Sequence, residues 1–148
     1  MLVRSQHTTL NALRRESNAL SSELDRWWGR DTKALDLTAG KTYVVYAVGV
    51  EDGWLFYYVA PDSYDADMQY PHPYHAALFD VVEARVSTEW VLGVERVWEP
   101  IRRMLMTFPE WAMDHPGFYA RLVDGSDSEI EIFRKYKETM DREEVGRR

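Results

Sequence analysis

The stretch KTYVVYAVGVEDGWLFYYVA, residues 41–60, decides the fold. Two runs rich in Val, Tyr and Phe flank the dipeptide Asp52-Gly53. This pair favours a two-residue type I′ turn, because both central residues of that turn need a positive φ. The stretch therefore predicts a β-hairpin. Its expected cross-strand pairs are Glu51 with Trp54, Gly49 with Phe56, Val48 with Tyr57, Ala47 with Tyr58 and Tyr46 with Val59.

Neither face of this hairpin is polar. One predicted face carries Val44, Tyr46, Val48, Val50, Leu55, Tyr57 and Val59, and the other carries Tyr43, Val45, Ala47, Gly49, Trp54, Phe56, Tyr58 and Ala60. A strand pair that is apolar on both sides is usually central in a sheet and covered twice. Cover on both faces is therefore the favoured prediction, and the alternative leaves one face for a partner.

The composition is that of a globular chain and predicts one domain, residues 1–148. Of its 148 residues 45% are hydrophobic, and six Trp and nine Tyr supply side chains that recur in cores and interfaces. The absence of cysteine excludes disulfides and thiolate chemistry. No apolar run is long enough to cross a membrane or to form the core of a signal peptide. We therefore expect a cytosolic protein that does not contact a membrane.

The acidic charge is concentrated in one segment. The chain carries a net charge of −7, and residues 51–92 contain eight carboxylates against the single base Arg85, so this segment accounts for all of it. An acidic balance argues against nucleic acid as the main partner. It favours a basic partner protein, although a solvated, solubilising surface explains the same charge.

Residues 8–28 are predicted to form a helix with an apolar stripe. The stripe consists of Leu10, Leu13, Leu20, Leu24 and Trp27, with Ser17 as a polar gap. Docking of this stripe on the sheet is favoured, because three heptads are marginal for a free coiled coil. The alternative is a homodimer formed through Leu10, Leu13, Leu20 and Leu24.

The rest of the chain predicts one more strand and a helical C-terminal part. Pro61 to His75 reads as a long loop rich in Pro, Asp and Tyr. Residues 77–90 are expected to form a third strand, with an optional short fourth strand at 89–93. Residues 94–144 are expected to be helical, with a helix beginning at Pro100 and a last helix opened by the capping box Ser126 and Glu129. A strand at Glu129–Ile132 is the alternative for that last segment.

These elements together predict an α+β fold. It has an N-terminal helix, an antiparallel meander of three or four strands within residues 41–92, and C-terminal helices packed on the sheet.

No sequence motif identifies a catalytic or cofactor site. The segment LDLTAGKT resembles the end of a phosphate-binding loop, but Leu35 stands where that loop needs glycine, and a strand follows. Asp62, Asp65 and Asp67 with His72 and His75 are suitable metal ligands by type, but their spacing matches no known motif, so turn-forming aspartates are the favoured interpretation. We expect neither metal, cofactor nor catalytic residue, and an enzyme is the less favoured hypothesis.

The residues that stand out combine acids with aromatic rings. The candidate partner-binding set is Glu51, Asp52, Trp54, Asp62, Tyr64, Asp65, Asp67, Tyr70 and Tyr74. Aromatic anchors supply contact energy, and carboxylates steer a cationic partner. Because the hairpin turn and the long loop lie at opposite ends of the strands, the set predicts two contact regions. The resulting hypothesis is an acidic protein-binding module, such as an inhibitor or immunity-type protein; the alternative is a small-ligand binder or enzyme with a pocket between sheet and helices.

Overall fold

The computed structural model describes residues 1–16, 21–22, 24–25, 34–65, 68–98 and 101–146. The N-terminal half contains β1 (Leu2–Ser5), α1 (Leu10–Glu16), β2 (Thr42–Glu51), β3 (Trp54–Val59), β4 (His72–His75), a 3₁₀ turn (Ala76–Leu78) and β5 (Phe79–Glu83). The C-terminal half contains β6 (Val91–Trp98), β7 (Ile101–Thr107), α2 (Pro109–Met113), α3 (His115–Val123) and α4 (Asp127–Val145). The α+β class is confirmed.

The predicted hairpin is formed by β2 and β3. Asp52 and Gly53 have φ angles of 50° and 81°, as a type I′ turn requires. Glu51 pairs with Trp54, and the register holds through Val48 with Tyr57 and Ala47 with Tyr58. The turn chemistry therefore sets the register over the outer half of the hairpin.

The predicted pair of Tyr46 with Val59 is wrong, because the register shifts between Val45 and Ala47 and Val45 opposes Val59. An extra residue in one strand moves every later side chain to the other face. Tyr43 and Val45 consequently do not share a face with Ala47.

The sheet branches at this bulge. The first half of β2 pairs with β1, and β5 continues the sheet beyond β1. The second half of β2 pairs with β7, and β6 continues beyond β7. The buried hydroxyl of Thr107 donates a hydrogen bond of 2.8 Å to the carbonyl oxygen of Tyr46, which ties β7 to the branch point. Within the described residues the sheet has seven antiparallel strands, more than the three or four expected.

Both faces of the β2–β3 hairpin are covered over its inner part, as favoured from the sequence, whereas Val50 is only half-buried and Leu55 is exposed near the turn. A first core on one face includes Leu13, Leu24, Tyr43, Val45, Tyr57, Val59, Leu78 and Phe79. A second core on the other face includes Tyr46, Ala47, Leu105, Phe108, Trp111, Phe118, Phe133 and Met140. The second core lies under the C-terminal helices.

The N-terminal helix is shorter in the structure than its predicted span, 8–28. Described helical residues are Leu10–Glu16, 21–22 and 24–25. Leu10, Leu13 and Leu24 are buried in the first core, which supports docking on the sheet, and a homodimer through this stripe stays a prediction. Leu20 lies outside the described residues.

The prediction that the chain is helical from residue 94, with a helix beginning at Pro100, is wrong over residues 94–98 and 101–107, because these residues belong to β6 and β7. Pro100 itself lies outside the described residues. The third strand is also shorter than 77–90, since β5 covers Phe79–Glu83. Farther on, α3 and α4 confirm the predicted C-terminal helices, and α4 rules out the alternative strand at Glu129–Ile132.

The last helix packs on the sheet. The hydroxyl of Tyr46 donates to Asp141 of α4 at 2.8 Å, and the rings of Tyr46 and Phe133 meet edge to face. Among the described residues no helix is long and apolar enough to span a membrane. The assignment of the whole chain to one domain stays a prediction.

Candidate protein-binding surface

The predicted partner-binding residues separate into three places. Glu51, Asp52 and Trp54 lie at the tip of the β2–β3 hairpin; Asp62 and Tyr64 lie in a groove beside α4; and Tyr70 and Tyr74 lie around His72. Asp67 lies outside the described residues. The expectation of separate contact regions therefore agrees with the placement, but the loop residues themselves divide further.

At the hairpin tip, only part of the predicted set faces solvent. Glu51 accepts hydrogen bonds from the guanidinium of Arg103, at 2.7 Å from Nε and 2.6 Å from Nη2. The ring of Trp54 lies 5.1 Å from that of His75. Asp52 is exposed in the turn. Asp52 is therefore the tip residue best placed to meet a partner.

Asp62 is engaged within the chain. Its carboxylate accepts hydrogen bonds from Lys41 at 2.5 Å, Thr38 at 2.7 Å and Tyr43 at 2.9 Å. Burial alone would raise the pKa of Asp62, but these hydrogen bonds outweigh it and lower the pKa. The side chain thus joins the loop to Thr38 and Lys41, which precede β2, and to Tyr43 of β2.

Tyr64 lines the same groove, whose volume is about 440 Å³. The ammonium of Lys137 lies 5.2 Å from the centre of the Tyr64 ring and 5.5 Å from that of Tyr46, and it pairs with Asp141 at 2.7 Å. Burial raises the pKa of Tyr64 to about 12. The charged groups of this groove are matched within the chain, so it presents no unpaired charge to a partner.

The remaining loop tyrosines pack inward. Tyr74 is only 7% exposed and belongs to the first core. Tyr70 stacks on His72 with ring centres 5.1 Å apart, and its ring also meets that of Tyr119 in α3. Asp65 is exposed and has a positive φ of 70°. The aromatic part of the predicted loop site therefore fastens the loop to the body of the protein.

Large apolar side chains are instead exposed on another surface, which is formed by β6, β7, β2 and β3. Cross-strand register places Val94 beside Met104, Met104 beside Val50 and Val50 beside Leu55, so four apolar side chains form one row across β6, β7, β2 and β3. Their neighbours Leu92 and Met106 begin the next row on the same face. We call these six residues the open face.

The open face is exposed at its outer end. Leu92 is 57% exposed, Val94 59%, Met104 40% and Leu55 37%, although all are large apolar residues. The row that begins with Leu92 and Met106 continues through Val48 to the buried Tyr57, so the open face is an extension of the first core. Contiguous exposed apolar surface of this kind marks sites where another molecule binds.

The opposite face of the same strands is covered. The row behind the open face consists of Gly93, Leu105, Gly49 and Phe56, and Ala112 of α2 lies directly against Gly93. Beyond that row, Glu95, Arg103 and Glu51 form a charged row next to His115. One face of these strands is therefore covered by α2, whereas the open face is exposed at its outer end.

Sequence reasoning missed the open face because it assigned residues 94–108 to a helix. The signal that identifies it is the alternation of Leu92 and Val94 with Gly93 and Glu95, followed by Met104 and Met106 around Leu105. In the described parts of the chain, no group of three or more His, Cys, Asp or Glu side chains is arranged to hold a metal ion. Comparison of the chain with protein-family models, curated proteins and solved structures finds no match.

Proposed function

We propose that this protein is a cytosolic binding module that docks a basic partner protein on the open face. The observation that carries the proposal is the register-matched row Val94, Met104, Val50 and Leu55, which leaves large apolar side chains in solvent at the end of a core. Burying such side chains against a partner is favourable by about 25 cal/mol per Å² of apolar surface.

Charge favours a basic partner over a second copy of the chain. Each copy carries −7, so two copies repel one another, whereas a cationic protein is attracted. The exposed Asp52 lies at the turn that follows Val50 and precedes Leu55, so a carboxylate borders the apolar row. Of the residues predicted from the sequence, Asp52 is the one that fits this surface best. An inhibitor or immunity-type role is one form that such binding takes.

The test compares two variants in which exposed apolar residues become threonine, a residue that is well tolerated in strands. Leu92→Thr with Val94→Thr changes the open face. Val81→Thr with Val82→Thr is the matched control, because those valines are 48% and 47% exposed on β5. Tagged wild type and both variants are used to capture proteins from the native host lysate at low and high salt, and the captured protein is then purified for affinity measurements.

We expect one dominant basic protein, bound at least about tenfold more weakly by the open-face variant and normally by the β5 control. Its association rate should fall at high salt, because steering by exposed charges is screened. Equal affinity for the open-face variant would place the interface elsewhere on the molecule. Capture of no protein at either salt would reject the binding module, and self-association seen by light scattering would replace the basic partner with a second copy.

A further inference from the structure

A cavity of about 240 Å³ lies beside the start of α1, away from the open face. Its apolar wall includes Leu10 and Leu78, which are buried in the first core, and Met68 from the long loop. The chain around it is held in place, because the backbone N–H of Leu35 donates to the carbonyl of Thr8 at 2.7 Å. This size is smaller than that of pockets for drug-sized ligands, so the cavity suits a small molecule.

One side of the cavity carries a fixed carboxylate. The backbone N–H of Ser63 donates to Oδ2 of Asp36 at 3.0 Å, and the Ser63 hydroxyl donates to the same oxygen. The carbonyl of Asp36 accepts from the backbone N–H of Asp62 at 3.1 Å. Asp36 is therefore oriented before any ligand arrives, and both Ser63 bonds end on a single carboxylate oxygen.

His72 adds a second polar group to the wall. Its Nε2 is buried and has no hydrogen-bond partner in the part of the chain that the structure describes. The Tyr70 ring stacks on the imidazole at an angle of 15°, and the Tyr74 ring lies 6.1 Å away, so the orientation of the ring is set by packing. Burial lowers the pKa of His72 despite the opposing effect of Asp36, which keeps the imidazole neutral near pH 7.

We propose that this cavity binds a small primary amine with a short apolar body. His72 is a neutral ring in this wall, so it adds no positive charge that would repel an ammonium. Asp36 is negatively charged and accepts only, which selects a cationic donor over a neutral one. Leu10, Leu78 and Met68 enclose the apolar body.

The proposal is tested with three probes that share one stem: phenethylamine, 2-phenylethanol and 3-phenylpropionate. Each is titrated into the full-length ¹⁵N-labelled protein at millimolar concentration, and affinities are taken from amide shifts. We expect shifts at residues 34–36, 68, 72, 74 and 75, with the amine bound at least about tenfold more tightly than the alcohol and the carboxylate weakest. Equal affinities for the three, shifts centred elsewhere, or no binding of the amine would overturn the proposal.

A pair of variants tests whether the charge of Asp36 causes the preference for the amine. Asp36→Asn keeps the size of the side chain and removes its charge, and we expect it to abolish the preference for the amine over the alcohol. Asp65→Asn is the matched control, because Asp65 is an exposed acid of the same loop, outside the cavity, and asparagine tolerates its positive φ. An unchanged amine preference in Asp36→Asn would overturn the assignment. If Asp36→Asn does not fold, the ranking of the three probes on the wild type decides.

Discussion

The two faces of the β6–β7 hairpin carry alternate residues of the same strands, yet they meet different surroundings. On one face Gly93 lies so close to α2 that an added Cβ would be 1.9 Å from the carbonyl oxygen of Ala112. On the other face Val94, one residue along, is 59% exposed. The covered face continues inward to Leu105, which is buried, whereas the open face continues to Met104, which is 40% exposed.

The difference shows that a single residue can determine whether a helix packs on a sheet face. A helix can approach the backbone of β6 only where no side chain intervenes, and Gly93 provides that place. The open face has large apolar side chains at every position of its outer row, and the described part of the chain places no helix over them. The covered face packs against α2, and we propose that the open face binds a partner.

The largest expected effect comes from filling the covered face. Gly93→Ala forces the backbone of α2 away from β6, because the atom in the way is a main-chain oxygen and no side chain can rotate to relieve the contact. We expect a loss of about 3 kcal/mol in the free energy of unfolding, at the upper end of overpacking effects. Urea unfolding followed by far-UV circular dichroism measures it.

The control for that experiment lies one residue away. Val94→Ala removes two methyl groups from a mostly exposed side chain, so its unfolding free energy should change by no more than about 0.5 kcal/mol. Equal losses for Gly93→Ala and Val94→Ala would mean that the two faces do not differ in the way described.

The same strands show where sequence reasoning succeeds and where it ends. The register of β2–β3 could be predicted because Asp52-Gly53 dictates the turn locally. The bulge beside Tyr46 could not, because it accompanies a branch of the sheet that depends on β7 and on the Thr107 hydrogen bond, more than fifty residues away. A turn that is determined by adjacent residues can be predicted from the sequence, whereas the pairing of strands far apart in the chain cannot.

The strands β6 and β7 were mistaken for a helix for a related reason. Val94, Val97, Trp98, Ile101 and Leu105 fit a helical period, and the alternation of the same segment fits a strand equally well. Pairing with β2 resolves the ambiguity in favour of the strand. Composition also does not distinguish packed tyrosines from exposed ones: Tyr70 and Tyr74 of the candidate loop site pack within the protein, and the site itself stays a prediction.

Acid should lower the stability of the folded protein near neutral pH. Burial lowers the pKa of His72, His75 and His115 below the ordinary value of 6.5. As the pH falls through 6.5, the unfolded chain takes up protons that the folded protein does not, so the free energy of unfolding decreases. Carboxylates with a lowered pKa, such as Glu129 at about 2, contribute only at more acidic pH.

Chemical unfolding at about pH 7.5 and about pH 5.5 isolates the histidine contribution. His115 belongs to the covered face, where Glu95 lies 3.9 Å away and Arg103, Glu51 and Asp114 also act on it. His115→Gln should therefore reduce the loss of stability between the two pH values. A protein that becomes more stable on acidification over this range would contradict the assignment of neutral buried histidines.

The smallest expected effect on stability is on the open face. A small change in the free energy of unfolding there would mean that the exposed side chains contribute little to folding. Leu92→Thr with Val94→Thr replaces two side chains that are more than half exposed, so we expect a change within about 1 kcal/mol in the free energy of unfolding. A chain gains little for its own folding from such residues, and exposed apolar rows invite aggregation unless something covers them. A loss as large as that of Gly93→Ala would show that the row supports the core and would remove the reason to assign it to a partner. Unchanged stability together with weakened capture of the basic protein would show that the row is kept for binding.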